Sequence, residues 1–201
     1  NDIPVIVETG LVKEPQGWMG HYRLVVGYDA QQFITMDSYD GPSLKISSKD
    51  LDAVWRQFNR LYIVIYSKER DALVRTILAD VLDDPTMYEL GVAKASAESQ
   101  ADPQDAFAQF NLGTNLAGLG RYAEAAAAFD RARAKNLPWR MMWYQFEPFE
   151  AYMQTKQTGK ALDLANEVLS KAENLEEAHY YKGLALAGLG RSAEARKEFT
   201  T

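Results

Sequence analysis

Two histidines, His21 and His179, are the side chains of this chain best suited to move a proton near neutrality. His21 follows a Gly-rich loop, Gly17-Trp18-Met19-Gly20, and opens an apolar stretch. Asp37 closes the next apolar stretch, and Asp40 is a rival carboxylate three residues on. Each has a plainer reading. His21 alone is a polar residue at a strand start, and Asp37 is a turn-former ahead of Ser38-Tyr39-Asp40-Gly41. His179 sits within a helical pattern and reads as a packed or solvated helix residue. The 201 residues include no cysteine, which removes disulfides, thiolate metal sites and a thiol nucleophile from the chain itself. Gly118-Leu119-Gly120 and Gly188-Leu189-Gly190 lie between helical segments rather than after strands, so they read as interhelix turns and not phosphate loops. Asp37 to Gly41 lacks the third carboxylate and distal Glu of a calcium loop. No serine elbow is present. Neither a metal nor any other cofactor is expected.

Residues 1–67 read as strands that would hold His21 and Asp37. Pro4 to Val7 is a short buried run. Residues 22–28 and 32–37 flank a polar Asp29-Ala30-Gln31 stretch and predict a hairpin. Gly41-Pro42 predicts a turn, and residues 43–47 alternate. Ser48 and Asp50 stand where an N-cap is wanted, ahead of a short helix over 51–58. The wholly apolar run 61–66 predicts a central strand. In an antiparallel pair, residues 21 and 37 share a face only if paired numbers sum to an even value, which requires an odd loop or a bulge. His21 and Asp37 are expected on one face, within hydrogen-bonding reach.

From Glu69 the apolar period changes from two to 3.6. Leu73, Ile77, Leu78 and Leu82 predict one helix face, and Asp83-Asp84-Pro85 separates that helix from one running to about Ser99. Beyond Asp102-Pro103 the chain repeats itself. Leu116-Ala-Gly-Leu-Gly-Arg121 recurs as Leu186-Ala-Gly-Leu-Gly-Arg191, 70 residues on, and Gly113, Ala125 and Phe129 recur as Gly183, Ala195 and Phe199. A middle unit fits between, with Ala161 at the alanine position. A period in the mid-thirties marks stacked helical hairpins, each needing neighbours to cover its apolar face.

These repeats resemble the tetratricopeptide family through Leu112-Gly113, Ala125, Phe129, Ala132 and Pro138, and through Gly183, Ala195 and Phe199. The middle copy departs, with Phe149 where Gly is expected, Ala165 where the aromatic is, and Pro148 inside its first helix. A kink or break is expected between Arg140 and Thr155, with Phe149 turned out of the helix crossing. The resemblance implies that Phe107, Phe110, Trp143, Phe146 and Tyr180 fall on inner positions, lining a groove for a protein or peptide; the plainer reading packs them as core between hairpins.

The segment Gly20-His21-Tyr22-Arg23-Leu24-Val25-Val26-Gly27-Tyr28-Asp29, followed by Asp37 and Gly41-Pro42, resembles the C-terminal half of the bacteriocin-processing (double-glycine leader) peptidases and their papain-fold relatives. The strand, short helix and final apolar strand ending at Tyr66 fit as well. Ser38 departs from the usual Pro or Asn. The resemblance implies that His21 takes a thiol proton and Asp37 orients its imidazole. It also implies a Cys-bearing helix upstream of residue 1, so the chain reads as a fragment that is inactive as it stands. A bacterial secreted or envelope setting is the family habit.

The expected fold is therefore α+β: a partial papain-like antiparallel sheet (1–67), a helical hairpin or degenerate leading repeat (68–101), and three tetratricopeptide repeats (102–201), the last truncated. Function reads as part of a cysteine-peptidase-like protein with a protein- or peptide-binding domain. The alternative is a non-catalytic scaffold whose sheet is a remnant. A surface near Trp18, Met19 and His21 is expected to be exposed, or covered by a partner chain, by an upstream segment or by the repeats. A net charge of -6 disfavours nucleic acid, and no apolar stretch is long enough to span a membrane.

Overall fold

The structure is a computed structural model that describes residues 3–200, except the side chain of residue 80. The chain divides into two compact units, residues 1–94 and 95–201.

The first unit is a five-stranded antiparallel sheet with flanking helices. Its strands are β1 (Val5–Lys13), β2 (Gly17–Tyr28), β3 (Gln32–Asp37), β4 (Gly41–Ser47) and β5 (Tyr62–Val64), in spatial order β4-β3-β2-β1-β5. β1 extends well past Val7, through Glu8 and Thr9 to Lys13. The expectation for β5 is corrected: it pairs only with β1 and forms an edge. Ile63 and Ile65 are exposed there. An apolar run alone does not say which strand is central, and here the long β1–β2 pair takes that place.

The β2–β3 hairpin settles the parity question. Tyr28 pairs with Phe33 and Gly27 with Ile34, an odd sum. The register then shifts between Val25 and Gly27, so that Val25 pairs with Thr35 and Leu24 with Met36, an even sum. The loop is thus closed by an even count, and the bulge restores the parity that puts His21 and Asp37 on one face. In the loop, Asp29 Oδ1 accepts from the backbone N–H groups of Gln31 and Gln32.

α1 (Ser48–Trp55) packs on β1, β3 and β4. Its N-cap is Ser47, one residue before the expected position. The Ser47 hydroxyl accepts from the Asp50 N–H at 3.0 Å and donates to the Asp50 carboxylate at 2.7 Å, a reciprocal cap. Leu51 and Phe58 are enclosed. Trp18 stacks on Phe58 and its indole N–H donates to Gln57. The expected open surface at Trp18 and Met19 is therefore half-covered by the chain itself. Exposed apolar side chains of the sheet include Val12, which pairs with Trp18, and Tyr22, Val26, Met36, Ile63 and Tyr28, the last 80% exposed. The helix predicted from Leu73 is short, α2 (Asp71–Leu78), and turns Val74 inward while Leu73, Ile77 and Leu82 are exposed. α3 (Asp84–Ala101) follows. The Asp83 carboxylate accepts from the Thr86 N–H and hydroxyl at its start.

The second unit is a stack of helical hairpins. The first pairs α4 (Ala106–Gly118) with α5 (Tyr122–Arg133). Asp105 caps α4 by accepting from the N–H groups of Phe107 and Ala108. Gly113 is needed because a Cβ there would come within 2.5 Å of the Phe129 ring; at Gly183 the same clash arises with Phe199 at 2.4 Å. The α4–α5 turn places Gly120 at φ +70°, and its counterpart Gly190 has φ +77°.

The middle hairpin is broken as its proline requires. α6 (Met141–Tyr144) stops at Gln145, whose backbone is extended, and α7 (Glu147–Gln154) restarts with Pro148 in its first turn, where a missing N–H costs nothing. α8 (Thr158–Leu169) completes it, and α9 (Glu176–Gly188) with α10 (Ser192–Glu198) form the third. Phe149 is enclosed and stacks on Tyr181 of the third hairpin, with ring centroids 4.7 Å apart. Where the outer hairpins carry Gly on the first helix and Phe on the second, the middle one carries Phe149 and Ala165, so large and small partners are exchanged.

Candidate functional site

His21 and Asp37 are brought together. The alternation of β2 puts His21, Arg23 and Val25 on one face, and β3 delivers Asp37 from its end. His21 Nε2 lies 2.9 Å from Asp37 Oδ2. Arg23 Nε lies 2.9 Å from the same oxygen. These are ion-pair distances, but the N–H bonds are not aimed along them, so the three groups touch without a directed hydrogen bond. The other Asp37 oxygen, Oδ1, accepts from the Tyr39 and Asp40 N–H groups at 2.7 and 2.9 Å. Burial pushes the Asp37 carboxyl up, but these two N–H groups and His21 more than offset it and hold it below the ordinary range.

Asp40 does not rival Asp37 for the imidazole. It pairs with Lys13 at 2.8 Å and faces Arg23 at 3.6 Å. The result is a compact, charge-balanced chain: Lys13, Asp40, Arg23, Asp37, with His21 at its end. Both Asp37 and Asp40 are thus engaged by cations, and among the described residues no group of three or more His, Cys, Asp or Glu is placed to hold a metal. The Thr9 hydroxyl donates to the His21 carbonyl across the β1–β2 pair. Tyr39 stands edge-on to the imidazole at 6.3 Å. The His21 side chain is 12% exposed. With Nε2 on Asp37, Nδ1 is the nitrogen left for chemistry, and no described hydrogen bond occupies it. Arg23 was missed by motif reading, yet its signal was present: two residues after His21 in an alternating strand, it must share that face.

In the repeats, the five aromatic candidates part company. Phe110 is corrected: it is 0% exposed and packs on Phe129 at 5.0 Å, so it is core and lines no groove. Phe107 and Phe146 are half-buried. Trp143 and Tyr180 are 45% and 53% exposed. Trp143 stacks on Trp139, and Phe146 stacks on Tyr181, which also meets Tyr180. His179 is structural. Its Nδ1 lies 2.7 Å from Glu198 and its Nε2 lies 2.8 Å from the Glu173 carbonyl, tying α9 to α10 and to the turn before it. Glu147 was not anticipated. Its Oε2 is enclosed with no hydrogen-bond partner, and burial raises its pKa.

No family model matches the chain, and no curated protein matches it. Solved structures do. YrrB, described as a TPR protein with an unusual peptide-binding site, aligns with a TM-score of 0.51 and 22% identity, over 66% of this chain and 68% of YrrB. The helical unit is tetratricopeptide-like. MamA aligns at a TM-score of 0.49 with 21% identity, over 68% of this chain and 93% of its own, and a MamA RS-1 ArsTM double mutant at 0.49 with 23% identity, over 67% and 75%. At these identities the likeness is one of fold. Neither these likenesses nor any family model supports the peptidase-like reading of residues 1–67. Among the described residues, no helix is long and apolar enough to cross a membrane.

Proposed function

We propose that the tetratricopeptide-like repeats hold a protein or peptide, and that the sheet unit is the C-terminal half of a cysteine-peptidase-like domain. The observation that carries the binding reading is the set of exposed or half-exposed rings on the first helices of the hairpins: Phe107, Trp143, Phe146 and Tyr180. Rings left in water on the inner positions of such a stack gain by covering themselves with a ligand. The test is a random-peptide array probed with the chain and with a Trp143→Ala/Tyr180→Ala variant. Both side chains are exposed, so the variant should keep its fold. Retention of a peptide subset by the parent and its loss in the variant is expected. If the parent retains no peptide, or the variant retains the same set, the binding reading falls.

The 2.9 Å approach of His21 and Asp37 favours the peptidase-like half. An imidazole whose Nε2 lies against a carboxylate leaves Nδ1 to take a proton from a nucleophile. The 201 residues hold no thiol, so the pair alone has nothing to activate. The chain as it stands should cleave no peptide. Extended at its amino end by whatever its gene encodes there, it should show cleavage that thiol reagents block and His21→Ala abolishes. Should the extended chain cleave nothing, the sheet is a remnant and the repeats alone carry function. Cleavage by the 201 residues, unaffected by His21→Ala, would remove both peptidase-like readings.

A further inference from the structure

Resting on the reading that the repeats hold a peptide, we propose that the patch where the middle and third hairpins meet receives a cationic side chain, of the lysine or arginine type, from that peptide. The rings of Phe146, Tyr180 and Tyr181 and the carboxylates of Glu147 and Glu150 compose it. Phe146 and Tyr181 stack at 5.9 Å, and Tyr180 meets Tyr181 edge-on at 5.4 Å. Tyr180 and Glu150 are exposed, so a ligand can reach the patch.

The acid at this place is peculiar to one repeat. The positions that carry Asn111 and Thr114 in the first hairpin carry Glu147 and Glu150 in the middle one, and Tyr181 and Leu184 in the third. Neither carboxylate has a lysine or arginine within ion-pair distance among the described residues. Glu150 Oε1 accepts from the Tyr122 hydroxyl, at 2.9 Å. The first turn of a helix favours acidic side chains, and that accounts for Glu150. Glu147 stands in the same first turn, yet its Oε2 is enclosed without a hydrogen-bond partner. An enclosed carboxylate oxygen left without a partner costs stability unless something compensates it. The hydroxyl of Tyr181 is raised by its burial first and by Glu150, Tyr180 and Glu147 after it, so the field of both carboxylates reaches the rings. Aromatic faces joined to carboxylates attract a cation and repel an anion, because ring quadrupole and charge act in the same sense.

The experiment uses three fluorescent peptides of equal length on a Gly-Ser backbone, one bearing arginines, one glutamates and one uncharged, at physiological ionic strength to damp long-range attraction. The arginine peptide should bind tightest. Glu147→Gln/Glu150→Gln should weaken it by at least about tenfold, or about 1.4 kcal/mol. Glu150→Gln alone, at an exposed position, and Tyr180→Ala should weaken it as well. Glu124→Gln/Glu194→Gln removes the same charge from exposed sites paired to Arg121 and Arg191 and should leave binding unchanged. Equal weakening by that control pair would reduce the effect to the general attraction of an acidic chain and overturn the inference. Binding of the uncharged or acidic peptide, indifferent to the Glu147 and Glu150 changes, would overturn it while leaving the peptide-binding reading intact. Binding of none of the three by a folded chain that still retains peptides on the random array would also overturn it.

Discussion

Asp37 serves two purposes at once, and its removal should expose both. One oxygen holds the turn that follows β3, and the other compensates Arg23, which is itself buried. Asp37→Ala would leave that guanidinium facing only Asp40 at 3.6 Å, and breaking a buried pair on one side costs about 3–5 kcal/mol. Urea unfolding should register a loss of that order. The pH dependence has a definite sign. The folded-state pKa of Asp37 is lowered, so its contribution is complete above the unfolded-state value of about 3.9 and is lost as pH falls through the lower folded value. The gap between parent and Asp37→Asn should therefore narrow in acid. Glu147 has the opposite sign. Burial raises its pKa, so ionisation opposes folding as pH climbs from the unfolded value upward. Glu147→Gln should raise the melting temperature at neutral pH, and the gain should vanish below about pH 4, where both states hold the proton. An unchanged difference across that range would refute the assignment.

At the scale of the helical hairpin, the exchange of Phe149 and Ala165 for the Gly and Phe of its neighbours predicts a coupling. Gly113→Phe alone drives a ring into Phe129, where even a methyl comes within 2.5 Å, and should cost at least the roughly 1–3 kcal/mol of overpacking. Phe129→Ala alone leaves a cavity, at about 3–5 kcal/mol. The double variant copies the middle hairpin, and it should be more stable than the sum of the two losses by about 1 kcal/mol or more. A double-mutant cycle by urea denaturation gives this directly, and strict additivity would show that the middle hairpin tolerates Phe149 for another reason, its stacking on Tyr181. Pro148 belongs to the same element. Because it sits in the first turn of α7 and the break is already made at Gln145, Pro148→Ala should not recover the roughly 3 kcal/mol that relief of a mid-helix proline would give.

For the molecule as a whole, each compact unit has its own core: Val7, Leu51 and Phe58 in the first, and Phe110, Phe129, Phe149 and Tyr152 in the second. Units with separate cores need not unfold together. Urea denaturation should show two steps, with Asp37→Ala moving one and Gly113→Phe the other. A single step displaced by both variants would show one cooperative body.

Local rules made the repeats legible. A helical hairpin of fixed length needs small residues where its helices cross and a glycine where its turn reverses, so Gly113, Ala125, Gly120 and their partners at Gly183, Ala195 and Gly190 announced the stack, and Pro148 announced its break. His21 and Asp37 were legible as a pair only through the motif they share with a known family, since alternation continued from the Tyr28–Phe33 end of the hairpin would have put them on opposite faces. Tertiary structure alone decided the rest. The order of strands is a matter of non-local pairing, so the most apolar run became an edge and β1 a central strand. The parity of the hairpin was decided by a bulge at Val25–Gly27, which no residue type advertises. Phe110 and Tyr180 occupy equivalent repeat positions, yet one is core and the other exposed, because burial depends on what packs against a helix and not on its own period. Glu147, enclosed beside Tyr181, appears only when two hairpins 34 residues apart in sequence meet, and it is there that sequence by itself was silent.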